Sequence, residues 1–307
     1  MDTRKLKYFL AVVDHGGFSR AAEHLLIAQP SLSQTIAGLE KELGVPLFHR
    51  IGRRAVLSEA GRELVGPARV VMRDLDAAQS AVQALLGVRS GRLDIITMPS
   101  PGIEPLTSMI AEYTQAHPSV RLNVSAAFTP EEVIESVRSG STEIGLAGSP
   151  TPIRVPGVQV LELERQPLIL IVNPRADTFG PASGIQREDL GGHRLIASQR
   201  GSLMRWLVDD ALARGVNTEI VVEVAHRTSI LPLVLAGVGH AVMPASWAPL
   251  AHTSGLRTLL IEPVSHLDVA VLSRKEDLTP AARAFLSVAE QHAAARGPHN
   301  HAREPDQ

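Results

Sequence analysis

Two folds in series are predicted by this sequence: an all-α head carrying a small wing, and an α/β body of two lobes, with one long helix between them. Three observations predict it. Up to residue 58, short apolar stripes at helical spacing are separated by tight turns and end in a small hairpin. From Leu64 to Leu85, apolar residues alternate steps of four and three without a break. From Arg92 onward, strand-like and helix-like segments alternate in two successive series. Repeated strand–helix units predict largely parallel sheets, and two series predict two lobes with a cleft between them.

The head reads in order from its N-terminus. Leu6 to Phe9 belong to a first helix. Ser19 stands where a side chain caps the second helix, whose Ala21, Ala22, Leu25 and Leu26 face inward. Pro30 suits the first position of a third helix, where its missing N–H costs nothing. Leu32, Ile36, Leu39 and Leu43 then form one apolar stripe, with Gly44 as a stop and Pro46 beyond it. At about 100° per residue, the opposite face holds Pro30, Gln34, Ala37, Gly38 and Lys41. Two short helices at a tight turn, followed by a hairpin, form a winged helix-turn-helix, which sets one helix in the DNA major groove. Small residues on the outer face let that helix sit deep. Gln34 is placed to read a base edge and Lys41 to meet a phosphate. The stripe alone equally fits an amphipathic helix in an ordinary core.

Leu47–Arg50 and Ala55–Leu57 read as the wing strands, joined by Ile51, Gly52, Arg53 and Arg54. A glycine turn with paired cations reaches phosphates or a narrow minor groove; a solvated surface hairpin is the alternative. Ser58 is placed to cap the next helix. Leu64, Ala68, Val71, Leu75, Ala78, Val82 and Leu85 make three heptads of a coiled-coil seam. One helix with so narrow a stripe needs a partner, either a second copy or the chain's own body. Residues 87–91 break the helix and set the domain boundary.

In the body, Leu93–Thr97, Val120–Ala126 and Glu143–Ala147 read as strands. Ile103–Ala116 and Pro130–Arg138 read as helices, and Val158–Val172 as two further strands. The second series has strands at Arg194–Ala197, Glu219–Val224 and Ala241–Met243, and helices at Ser202–Arg214 and Thr228–Ala236. Strands near Leu256–Ile261 and Leu267–Leu272 and a helix at Thr279–His292 follow. In open α/β sheets, ligands sit at the carboxyl ends of strands. That rule selects the turns at 98–102, 128–129, 148–149, 198–202 and 226–228. They carry Ser100, Thr129, Ser149, Ser198, Gln199, Arg200, Ser202 and Thr228 as candidate ligand contacts. Hydroxyls in turns also serve as caps.

Composition narrows the function classes. The 307 residues suit two or three domains, and 44% hydrophobic content suffices for their cores. No apolar run reaches the length of a membrane span, and no signal-peptide pattern opens the chain, so a cytoplasmic protein is expected. Without cysteine there is no disulfide framework, thiolate metal site or thiol redox switch. The net charge is −2, yet residues 1–90 hold 12 Lys and Arg against 9 Asp and Glu, and the remainder holds 18 against 23. A mildly basic head on an acidic body suits DNA binding by the head alone. No G-x-S-x-G, H-E-x-x-H or Walker pattern appears. Gly237-Val-Gly239 lacks the later glycine of a dinucleotide fingerprint and marks a helix-to-strand turn. The twelve histidines show no metal-ligand spacing; His299 and His301 fall in a polar tail, 296–307, expected to be disordered. No enzyme, no metal and no cofactor is expected.

The head resembles the LysR-type transcriptional regulators. The matching residues are Leu6 to Phe9, Phe18-Ser19 with Ala21-Ala22, Ala28-Gln29-Pro30, Leu32-Ser33, Ile36, Leu39-Glu40, Leu43-Gly44-Val45-Pro46-Leu47-Phe48, Arg50, Gly52-Arg53, Leu57 and Glu59-Ala60-Gly61. One departure stands out. The family often has arginine after the serine of the recognition helix, where this chain has Gln34, which bears on base preference and not on docking. The resemblance implies double-stranded promoter DNA as partner, met by Ser19, Gln29, Pro30, Ser31, Ser33, Gln34, Lys41, Arg50, Arg53 and Arg54. It implies a winged helix-turn-helix domain at 1–58, a linker helix at 59–87 that pairs subunits into a homodimer or tetramer, and an effector domain at 88–295. That domain is similar to periplasmic solute-binding proteins, with lobe 1 at about 91–165 plus 268–295, lobe 2 at about 166–267, and crossings at Leu168–Val172 and Leu267–Leu272. It further implies a small-molecule effector in the cleft, read here as an organic anion with Arg200 as counter-charge, and RNA polymerase as a contact. The alternative is a cytoplasmic small-molecule-binding protein of the solute-binding type whose head serves assembly alone.

Overall fold

The structure, a computed structural model, describes residues 2–51, 54–85, 91–176, 179–200, 202–275 and 278–296. The head is built on α1 (Thr3–Asp14), α2 (Phe18–His24) and α3 (Gln29–Leu43), followed by a wing of β1 (Phe48–Ile51) and β2 (Arg54–Leu57). Leu6, Phe9, Ala21, Leu32, Ile36 and Leu39 are buried in one cluster, as the helical spacing predicts. Asp2 caps α1 by accepting from Lys5 N. Gly44, at φ 74°, ends α3, and its N–H donates to Glu40 O.

Four local expectations are corrected. Ser19 does not cap α2: the helix begins one residue earlier, so Gly17 is the cap and Ser19 lies exposed within the first turn. Pro30 is the second residue of α3, because the helix starts at Gln29 behind Ala28. Leu26 does not pack inward. It takes a left-handed turn at φ 54° between α2 and α3 and is 91% exposed. Leu43 is also exposed, since the last turn of α3 overhangs the core.

Helix α4 (Glu59–Leu85) follows the wing without a loop. Ser58 caps it, as expected: its Oγ accepts from Gly61 N at 2.9 Å and donates to Pro46 O at 2.6 Å. The break expected at 87–91 lies outside the described residues except for Gly91, which begins β3. The tail beyond Arg296 lies outside them as well.

The body contains β3 (Gly91–Thr97), α5 (Pro99–Ile103), α6 (Leu106–Ala116), β4 (Val120–Ala126), α7 (Pro130–Arg138), β5 (Ile144–Ser149) and β6 (Val158–Val172). There follow β7 (Gly184–Gln186), β8 (Arg194–Ser198), α8 (Leu203–Ala213), β9 (Glu219–Val224), α9 (Ile230–Leu235), β10 (His240–Pro244), α10 (Ala248–Thr253), β11 (Arg257–Glu262), β12 (His266–Arg274) and α11 (Pro280–Arg296). The single helix expected at 103–116 is two, α5 and α6, divided at Glu104-Pro105.

Two sheets share β6. Its first part pairs with β12 in the order β4-β3-β5-β12-β6; its last residues, Leu168 to Val172, pair with β10 and β11, and β8 and β9 extend that sheet. Val158–Val172 is thus one strand, where the sequence suggested two. Leu168–Val172 lies wholly in the second sheet and Leu267–Leu272 wholly in the first, so neither is the passage itself. The chain passes between lobes at 166–168 and returns at 263–265, where Leu168 N donates to Ser265 O at 2.8 Å. Parallel pairing of β3 with β4 and β5, and of β8 with β9 and β10, puts the carboxyl ends of those strands on one edge of each lobe.

Candidate nucleic-acid interface and inter-lobe cleft

On the head, burial of Leu32, Ile36 and Leu39 turns the opposite face of α3 outward. Gln29, Pro30, Ser31, Gln34, Ala37 and Lys41 are exposed, and Ser33 is partly so. Polar groups able to donate to and accept from base edges thus share one helix face with a cation and small residues. The wing is tied to this helix by Glu40, whose Oε1 accepts from Leu47 N at 2.7 Å and Phe48 N at 3.2 Å. That strut was not foreseen as such; only the distance of seven and eight residues ahead of the wing hints at it. Of the expected wing cations, Arg53 and the side chains of Arg50 and Arg54 lie outside the described residues.

The expected seam on α4 divides. Ala68 is buried in the head core and Leu64 packs against it, so these two serve the chain's own fold. Val71 is 40% exposed, Leu75 is half-buried and Ala78 is exposed; the Val82 and Leu85 side chains lie outside the described residues. The same helix touches lobe 1. Arg73 Nη1 donates to Gly140 O at 2.9 Å, and Arg73 Nε stands 4.0 Å from the buried Glu143 carboxylate. Glu143 accepts from Thr279 N and Thr279 Oγ1 and so holds the start of α11.

The cleft turns differ in what they offer. Ser100 is fully buried and engaged: its Oγ accepts from Arg227 Nη1 at 2.8 Å and from Trp247 Nε1 at 3.2 Å, both from lobe 2. Ile103, also on α5, packs against the lobe 2 cluster around Trp247. Thr129 caps α7 by accepting from Glu132 N, and Glu131 and Glu132 occupy the first turn. Carboxylates in the first turn of a helix weaken its attraction for a further anion, and the Thr129 hydroxyl here serves as the cap. Ser202 likewise caps α8, and Ser149 Oγ accepts from Thr151 N. Gln199, Arg200 and Thr228 are exposed. Ser198 is 4% exposed at the end of β8, and its Oγ has no hydrogen-bond partner among the described residues.

Arg200 is exposed, whereas the largely buried cation at the lobe boundary is Arg227. It follows β9, three residues beyond Val224, and burial pushes its guanidinium pKa down to about 10. The turn rule selected this segment, but a search for hydroxyls picked Thr228 from it. Trp247, after β10, was also missed, since no short motif marks it. Two cavities lie away from these residues. One, of about 670 Å³, runs between α4 and lobe 1 beside Arg73, Tyr113 and Glu143; the other, of about 290 Å³, lies along β6 and β12. Among the described residues no cluster of metal-ligating side chains occurs, and no helix is long and apolar enough to cross a membrane.

Comparison with known proteins adds the following. The pattern described as bacterial regulatory helix-turn-helix protein, lysR family, matches residues 3–62, and that described as LysR substrate binding domain matches residues 86–294. The HTH-type transcriptional regulator IlvR of Caulobacter vibrioides is 28% identical over 93% of this chain and 96% of its own. The RuBisCO operon transcriptional regulator of Allochromatium vinosum is 28% identical over 92% of this chain and 93% of its own. Among solved structures, CbnR, a LysR family transcriptional regulator, superposes with a TM-score of 0.68 at 23% identity, covering 95% of this chain and 99% of that one. Full-length CbnR complexed with its target DNA gives 0.67 at 23% identity, over 95% and 100%. Likeness at this identity speaks for the fold.

Proposed function

We propose that this chain, which belongs to the LysR family of transcriptional regulators, reads its promoter through Gln34 on α3 and answers a small organic anion held between its lobes. The family makes it a DNA-binding regulator with an effector-binding domain. The exposed polar face of α3 carries the finer reading: Gln34 and Lys41 stand on the side opposite the buried stripe, beside Ser31 and Ser33. A related fold, CbnR, is known in complex with its target DNA, which supports the same docking here. In this reading Gln34 contacts a base edge, and Lys41 and the wing arginines contact phosphates. Val71, Leu75 and Ala78 on α4 join two copies so that paired heads meet two half-sites. The protein works in the cytoplasm and catalyses no reaction.

The test is binding to the DNA upstream of its own gene across a range of salt concentrations. Gln34→Ala relaxes base preference by about 1–3 kcal/mol at one position if the contact is bidentate. Arg53→Ala combined with Arg54→Ala weakens binding to every sequence and flattens the salt slope. Salt-independent binding by the parent, or a double variant with the parent's slope, rejects this assignment.

A further inference from the structure

Arg227 is a mostly buried cation that meets no anion among the described residues. Two arginines buried more deeply each meet a carboxylate: Arg187 meets Asp210 at 2.6 Å, and Arg205 meets Asp209 and Glu223. Among the described residues Arg227 has neither an ion pair nor a carboxylate, and Ser100 Oγ is its one hydrogen-bond partner. Taking a charge out of water without a counter-charge is costly, and a fold keeps such a group where something else supplies the charge. A second orphan lies on the same edge. Ser198 Oγ, buried without a partner, ends β8, and Ser198 pairs in register with Val224, just ahead of Arg227. The opposite wall is α5 of lobe 1, brought there by Ser100 and Ile103.

We propose that Arg227 anchors the carboxylate of a small monocarboxylate effector, with Ser100 and Trp247 fixing the guanidinium at the lobe boundary. This rests on the reading of the cleft as the effector site. A guanidinium carries five N–H donors in a fixed fork, and Ser100 takes one of them, on Nη1. The remaining edge suits the two oxygens of a carboxylate in a paired contact. Ser100 Oγ already accepts two donors, so it acts as a positioning residue and not as the anion's partner. One buried cation balances one negative charge, which favours a monoanion over a doubly charged phosphate. Because Arg227 and Trp247 belong to lobe 2 and Ser100 to lobe 1, a bound carboxylate changes the relative stability of the closed lobes. That difference between states is what an effector needs.

The chain has two tryptophans, and Trp206 is exposed on α8, so Trp206→Phe leaves Trp247 as the reporter. In that background, acetate, butanoate and benzoate are titrated beside their amides and inorganic phosphate, with Trp247 emission and melting temperature recorded. The carboxylates are expected to give saturable emission changes and raised melting temperatures; the amides are not. Arg227→Gln is expected to weaken carboxylate binding about ten- to hundredfold, as loss of a charged hydrogen-bond pair does. Arg227→Lys retains part of it, and Ser100→Ala loses less than Arg227→Gln. The melting temperature of each variant without carboxylate separates lost binding from lost folding. Carboxylate affinity equal to the parent's in a folded Arg227→Gln or Arg227→Lys protein overturns the proposal. So does a parent that answers phosphate alone, or none of the probes. Retardation of the upstream DNA by the same proteins is read in parallel. A parent that binds DNA but no carboxylate refutes the anchor and leaves the regulator reading standing, whereas a parent that binds carboxylates through Arg227 but not DNA does the reverse.

Discussion

Gly61→Ala tests how closely α4 is seated on the head. Gly61 is buried in the first turn of α4, and a Cβ built there lies 2.2 Å from Leu47 O, 2.8 Å from Leu57 Cδ2 and 3.1 Å from Leu47 C. The leucine side chain can turn away. The carbonyl cannot, because Leu47 O also accepts from Ser58 N at 2.9 Å. Even a close C···O contact needs about 3.3 Å, so the helix must move by about 1 Å. Two effects then oppose each other. Alanine is the better helix former by about 1 kcal/mol. Against that, overpacking costs about 1–3 kcal/mol, and strain in the Ser58 cap and the Ser58–Leu47 bond adds about 1–2 kcal/mol. The net expectation is a loss of about 1–4 kcal/mol from the head. Gly38→Ala on α3 is the control: a Cβ there meets nothing within 4 Å, so only the propensity gain of up to about 1 kcal/mol remains. Both tryptophans lie in the body, so urea unfolding is followed by helical circular dichroism. A Gly61→Ala midpoint at or above the parent's would falsify the reasoning.

Three further outcomes are expected. Leu75→Glu puts a charge on α4 beyond the residues buried by the head, and sedimentation should show the dimer split into monomers with operator affinity greatly reduced; an intact dimer moves the seam elsewhere. Glu40→Ala removes the acceptor of Leu47 N and Phe48 N, and should cost about 1–3 kcal/mol and weaken DNA binding through a displaced wing; an unchanged unfolding midpoint counts against the strut. Tyr113 has its pKa raised to about 12, first by burial and then by Glu143. Its raised value means that the folded state keeps a proton the unfolded chain releases, so the contribution is whole below about pH 10 and is lost as pH climbs through 12. Tyr113→Phe forfeits the bond to Ala281 O, and should be about 1 kcal/mol less stable at neutral pH but show a flatter alkaline decline; a decline as steep as the parent's contradicts this.

What the sequence made legible was local. The stripe Leu32, Ile36, Leu39, the stop at Gly44 and the cap at Ser58 each depend on residues within about one turn, where spacing and capping act directly. Errors of the same range arose where two local signals compete. Ser19 suits a cap, but Gly17, at φ 148°, supplies the non-helical backbone just before Phe18 and takes that place. Leu26 suits the stripe of α2, but the left-handed turn needed to start α3 falls on it. Val158–Val172 reads as two strands, but it is one strand that leaves the first sheet and enters the second at 167–168, because β12 and β10 pair with successive parts of it.

The cleft was legible only as a set of turns. Strand order put the right edges forward, and hydroxyl chemistry then chose Ser100, Thr129 and Thr228 from them. Burial and charge reorder that choice. Ser100 meets Arg227 and Trp247 across 127 and 147 residues of chain, a separation that no periodicity or cap encodes. The hydroxyl of Thr129 caps its own helix, whose first turn holds Glu131 and Glu132, and chemical type alone does not tell a cap from a ligand contact. Arg227 is one of 30 basic residues, and nothing in its neighbours marks it as the one that the lobes enclose. Its distinction arises only when two strand ends and α5 converge and, among the described residues, none brings a carboxylate. A missing partner is a property of the assembled fold, which is why the residue best suited to hold an anion was the one that reading along the chain passed over.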